Sequence, residues 1–97
     1  MSGEIVFEKE MGIDHADFFR LLPHALDRLE YIFEDSRAVI SDGAKRLEIT
    51  LSETGERRIA LMSVPVTHVR FAYFGYSREE AEEFQAHIDR RYQRGGG

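Results

Sequence analysis

Apolar and polar residues alternate with a period of two through most of this 97-residue chain, and the period lengthens to three and four in two places. Residues 4–11 open as a strand. Ile5, Phe7 and Met11 share one face with Lys9, and Val6, Glu8 and Glu10 share the other. Residues 29–34 and 37–40 are strand-like, with Asp35 and Ser36 forming a turn or a bulge between them, and Asp42 followed by Gly43 signals a hairpin. Residues 46–52 set Leu47, Ile49 and Leu51 against Arg46, Glu48, Thr50 and Ser52. A turn at Thr54, Gly55 and Glu56 then returns the chain through residues 57–62. That register sets Leu51 opposite Ile59 and keeps the apolar face continuous, with Ser52 opposite Arg58. Proline is excluded from central ladder positions, so a hairpin centred on Pro65 is expected, pairing Leu61 with Val69 and Ile59 with Phe71. The last strand, 67–74, points Val69, Phe71 and Tyr73 inward.

Each helical stretch begins on the same plan. Met11-Gly12-Ile13-Asp14-His15-Ala16-Asp17 and Phe74-Gly75-Tyr76-Ser77-Arg78-Glu79-Glu80 both run from a strand end through a glycine and an apolar residue to a capping side chain, with an acid three positions on. The glycine supplies a positive φ for a tight exit, the Asp or Ser accepts an orphan N–H, and the acid bonds back or complements the helix dipole. The first helix runs from His15 to about Leu22, with Ile13 and Phe18 as a hydrophobic staple. Pro23 is expected to kink it, or to break it and open a second short helix. From Ser77 a longer helix places Ala81, Phe84, Ile88 and Tyr92 in one stripe, with acids at its start and Arg90, Arg91 and Arg94 at its end.

The predicted class is therefore α+β: a two-layer sandwich in which two helices cover one face of an antiparallel sheet of about five strands, in the order β-α-β-β-β-β-α. Residues 1–94 form a single domain, and residues 95–97 a flexible glycine tail.

Charge and composition narrow the function without naming it. Thirteen Lys and Arg stand against eighteen Asp and Glu, a net charge of −5, which argues against broad binding to nucleic-acid phosphates. There is no cysteine, hence no disulfide, thiolate metal site or thiol nucleophile. The first residues lack the basic and apolar regions of a signal peptide, and no stretch reaches membrane-spanning length, so a soluble cytoplasmic protein is expected. The histidines, at 15, 24, 68 and 87, make no H-x-x-x-H or comparable cluster. No serine lies in a G-x-S-x-G elbow, and no glycine-rich phosphate loop occurs. No metal, cofactor or enzymatic activity is expected.

What remains is the sheet face that no helix covers. The predicted register lines it with Glu48, Thr50, Arg58, Ala60, Met62, His68, Arg70 and Ala72. Arg58, His68 and Arg70 are the candidate binding residues, because arginine grips carboxylates and phosphates in a fork. The expected role is that of a non-enzymatic interaction or accessory domain, homodimeric through this face or an edge strand, or engaging another protein. The alternative is a binder of a small apolar ligand, held between the sheet and the C-terminal helix among aromatics such as Phe7, Phe71, Tyr73 and Phe84.

Overall fold

The computed structural model describes residues 4–26 and 30–95. Among these residues six strands and two helices follow in the order β1 (Ile5–Met11), α1 (His15–Leu26), β2 (Glu30–Glu34), β3 (Arg37–Asp42), β4 (Lys45–Leu51), β5 (Gly55–Ile59), β6 (Met62–Phe74) and α2 (Arg78–Gly95). The strands form one antiparallel sheet in the spatial order β1-β6-β4-β3-β2, with β5 off this path and pairing with β6. Both helices lie on one face, giving the two-layer α+β sandwich that the alternation implies. Leu29, at the start of the expected second strand, lies outside the described residues, as do Gly96 and Gly97 of the expected tail; Gly95 belongs to α2.

The core forms where the apolar stripes meet. Phe18, Leu22, Ala25 and Leu26 recur at helical spacing along α1, and Ala81, Ile88 and Tyr92 along α2. They pack on Ala38, Ile40, Leu47, Ile49, Leu51, Val69, Phe71 and Tyr73 from the sheet. The Phe18 and Tyr92 rings stack at 4.8 Å, and the Tyr92 hydroxyl donates to Phe18 O at 2.7 Å, tying one helix to the other. The Tyr73 hydroxyl donates to Gln85 Oε1 at 2.8 Å, which satisfies two buried polar groups at once. The helix α1 is continuous through Pro23, so no second helix opens there. Burial of Leu22, Ala25 and Leu26 on either side of the proline holds the final turn despite the hydrogen bond the ring removes.

The two helix starts are alike in sequence and differ in detail. Ser77 and Glu80 make a reciprocal capping box: Ser77 N donates to Glu80 Oε1 at 2.9 Å, and Glu80 N to Ser77 Oγ at 3.1 Å. Gly75 takes φ +82° as anticipated. At the first start Asp14 accepts from Asp17 N at 2.8 Å, but Asp17 turns to Arg20. Gly12 is not among the residues with positive φ. A Cβ there would meet Val64 Cγ1 at 3.6 Å and Pro65 O at 3.7 Å. Gly12 thus brings the end of β1 close to β6.

The expected register fails between β4 and β6, in a way that can be traced to one residue. Leu51 pairs with Val69 and Gly55 with Val66, so β4–β5 takes four steps where β6 takes three. Residues 52–54 therefore form a bulge with one residue extra, and β4 and β5 run along the same side of β6. The hairpin turn lies at Ala60 and Leu61, joining Ile59 to Met62, and not at Thr54–Glu56 or Pro65. Pro65 sits inside one long strand. His68 exchanges bonds with Ser52 on the β4 side, and strand donors alternate in direction, so the side of Pro65 that lacks an N–H faces away from β5. A proline at that edge leaves no ladder bond unmade.

Candidate functional site

Beyond the bulge, β5 and the first half of β6 leave the body as a two-stranded arm. Every residue of β5 is exposed. The long dimension of the molecule, 48 Å against 26 and 24 Å, fits such a projection. Its end is apolar: Ile59 is 58%, Leu61 103% and Met62 68% exposed. The turn itself is strained, because Ala60 holds φ +57°, where an L side chain is disfavoured. The two other two-residue hairpin loops put Asp35 and Gly43 at the corresponding position, residue types that suit it better.

The arm is anchored at its base. Thr67, fully buried, donates from Oγ1 to Ile13 O at 2.6 Å and lies 3.0 Å from Thr54 Oγ1 in the bulge. His15 Nε2 approaches Ser52 O at 2.5 Å from the first turn of α1. The Ser52 hydroxyl accepts from His68 N at 3.0 Å, while Ser52 N donates to His68 O at 2.9 Å. The bulge is thus fixed from two elements, α1 and β6, which gives the arm a defined direction.

The helix-free face of the sheet is charged and largely self-paired. Arg70 donates to Glu4 at 3.1 Å. Arg57 pairs with Glu10, whose other oxygen lies 3.4 Å from His68 Nε2. Arg37 and Arg46 converge on Glu48 at 2.7 and 2.8 Å. The hydrogen bond from Arg37, foremost, holds the Glu48 carboxyl below the usual range. Ala72 is buried among these residues, opposite Val6 on one side and Glu48 on the other.

Of the three candidate residues, the structure keeps His68 and Arg70 on this face and removes Arg58 from it. The extra residue in the bulge reverses the facing of β5, so Arg57, opposite Val64, joins His68 on the open face, while Arg58, opposite Ser63, points to the other side. Ala60 lies in the turn; Glu48, Thr50, Met62 and Ala72 are placed as expected. Arg58 is 82% exposed and approaches Glu56 at 4.0 Å. Two features went unseen in the sequence: the acids Glu4 and Glu10 that neutralise the face, and the exposed apolar end. The signal for the second was the run Ile59-Ala60-Leu61-Met62 directly after the charged Glu56-Arg57-Arg58.

A cleft of about 310 Å³ opens between the end of β1 and the last turns of α2, lined by Met11, Gly12, Ile13, Tyr92 and Gln93. The Lys9–Asp89 ion pair, at 2.5 Å, forms its polar wall. Among the described residues no three His, Cys, Asp or Glu converge in a way that could hold a metal ion, and no helix is long and apolar enough to cross a membrane. No protein-family profile, curated protein or solved structure matches the chain.

Proposed function

We propose that this protein is a non-enzymatic interaction domain that self-associates, and that its contact element is the β5–β6 arm. The observation behind this reading is the end of the arm. Three large apolar side chains, Ile59, Leu61 and Met62, stand in water on a strand pair whose base is held by buried hydrogen bonds. Apolar groups grouped on a projecting element lose little of the fold if removed, and they gain most when another surface covers them. The helix-free sheet face is the weaker candidate for the contact, because Arg37, Arg46, Arg57 and Arg70 already have carboxylate partners on their own chain. A small apolar ligand would find its place in the cleft beside Met11 and Tyr92. At about 310 Å³ that cleft is at the lower limit of ordinary ligand sites, and an ion pair walls it, so this reading stands second.

The test is light scattering after size exclusion over a range of concentrations, with the variant Leu61→Asp/Met62→Asp beside the native chain. The native mass should rise from 11.2 kDa towards twice that value, and the variant should remain monomeric, with an unfolding midpoint equal to that of the native chain at dilutions where the latter is monomeric. A native chain that stays monomeric throughout, or a variant that associates equally well, overturns the reading.

A further inference from the structure

We infer that the partner of the arm is a second copy of this chain, joined edge to edge through β5 in an antiparallel pair centred on Arg57. The inference rests on the self-association proposed above and specifies its geometry. The two-residue turn makes Ile59 and Met62 the closing hydrogen-bonded pair, followed by Arg57 with Val64 and Gly55 with Val66. The backbone groups of Glu56 and Arg58 therefore point away from β6. Among the described residues no other strand pairs with β5, so these groups form an open edge able to template a further strand.

The order of residues on β5 selects the occupant and the register. About a two-fold axis at Arg57, Glu56 faces Arg58 of the partner subunit, and Arg58 faces Glu56 of the partner subunit. Opposite charges then meet twice across the strands. A slip of two residues either way sets Glu56 against its own copy, or Arg58 against its own copy, so the charges disfavour both neighbouring registers. In the isolated chain Glu56 and Arg58 approach each other at 4.0 Å and are largely exposed. The same register lays Ile59 over Gly55 of the partner subunit, a strand position with no side chain of its own to obstruct it. Arg57 meets its copy at the axis, where each already carries Glu10 as a counter-charge.

The other free edges lack this property. β1 presents Glu4, Glu8 and Glu10 on its open face without a base, so self-pairing there brings acid against acid. β2 has a glutamate at each end, Glu30 and Glu34, and a pair centred on Ile32 would set one opposite the other. On β6 the edge beyond β1 is interrupted by Pro65, which has no N–H to offer. β5 alone among the described edges alternates acid and base about a centre.

Charge reversal tests the pairing on the full chain. Glu56→Arg sets arginine against Arg58 of the partner subunit, and Arg58→Glu sets glutamate against Glu56 of the partner subunit. Each variant should dimerise more weakly by on the order of ten-fold or more. An equimolar mixture of the two restores both attractive pairs, and should recover a mixed dimer as tight as the native one. Both side chains are exposed, so at dilutions where every chain is monomeric the unfolding midpoints should match the native value, and recovery on mixing shows independently that each variant is folded. As a second readout, the amides of Glu56 and Arg58 should exchange quickly with solvent when dilute and slow with rising concentration. If the native chain dimerises but the reversals leave its affinity unchanged, the mixture fails to recover, or those two amides stay fast, the β5 pairing is wrong and self-association by another surface stands. A native chain monomeric at every concentration overturns both.

Discussion

Removing the Tyr73 hydroxyl should destabilise the protein less through the bond lost than through the group left behind. Tyr73 is fully buried on β6 and donates to Gln85 Oε1 at 2.8 Å; Gln85 is 4% exposed and passes its own amide hydrogen to Asp89 at 3.0 Å. Burial, foremost, raises the Tyr73 phenol far above its ordinary pKa, so it remains a neutral donor throughout the working range. An intramolecular hydrogen bond contributes about 1 kcal/mol net, whereas stranding a buried acceptor costs about 1–3 kcal/mol. Tyr73→Phe should therefore cost about 2 kcal/mol, and Gln85→Met a similar amount by stranding the phenol. In Tyr73→Phe/Gln85→Met neither polar atom remains, and the pair should lie within about 1 kcal/mol of either single variant, not at their sum. Urea unfolding of the four proteins measures this directly, provided the slope with denaturant is common to all. In a domain of this size each single variant should lower the melting temperature by roughly 8–16 °C. If the two costs simply add, to about 4 kcal/mol, the two groups are not coupled and the argument from the stranded partner is refuted.

Two further outcomes follow from the turns and caps. Hydrogen bonds from Lys45, foremost, and from Ser77 N hold the Glu80 carboxyl down at about 2, against 4.5 for a free side chain. A carboxyl with a lowered folded-state pKa contributes stability that is present above pH 4.5 and fades as the pH falls towards 2. Glu80→Gln should flatten the acid side of a stability-against-pH curve in that window, and an unchanged curve would refute the assignment. Glycine exchanges at the two turns should have opposite signs in thermal melts. Ala60→Gly should stabilise by about 0.5–1 kcal/mol by relieving the left-handed alanine, after the entropy cost of glycine is subtracted. Gly75→Ala should destabilise by about 1–2 kcal/mol or more, because φ is +82° and the new Cβ would lie 3.1 Å from Ala44 O. Equal signs would refute the comparison.

The layers of this fold were legible because long stretches obey a single period. Leu47, Ile49 and Leu51 bury as their alternation demands, and Ala81, Ile88 and Tyr92 as their helical spacing demands. Gly75, Ser77 and Glu80 carry their local instructions in their own chemistry. The course of the chain from Ser52 to Pro65 was not legible, because two registers bury the same apolar residues equally well on paper. A hairpin at Pro65 and a bulge at residues 52–54 both satisfy Leu51 and Val69. What separates them is the direction of a missing N–H at Pro65 and a shared ladder between Ser52 and His68, neither of which has a signature in hydropathy. Ala60 made the true turn harder to find, since alanine is the least suggestive residue for a left-handed position. The candidate site suffered from the same slip. His68 and Arg70 follow the ambiguous stretch and keep the facing their alternation with Val69 and Phe71 implies, while Arg58 lies inside it and faces the side opposite to the one alternation implies.

The extra residue at 52–54 works as a change of reading frame between two parts of one strand pair. On the body side, odd positions of the chain are committed to the core, and their identity is dictated by what the helices leave room for. On the arm side the same parity faces solvent, so Arg57 and Ile59 occupy positions where Ile49 and Leu51 had to be buried. The arm is thereby released from the packing rules of the domain that carries it. Its sequence can vary to suit a partner without disturbing the core, and the core can vary without altering what the arm presents. Deleting one residue from the bulge would make the ladder along β6 continuous, leaving Arg57 opposite Val64 and Ile59 opposite Met62 on the helix-free face while removing the local bend that sets the arm off from the body.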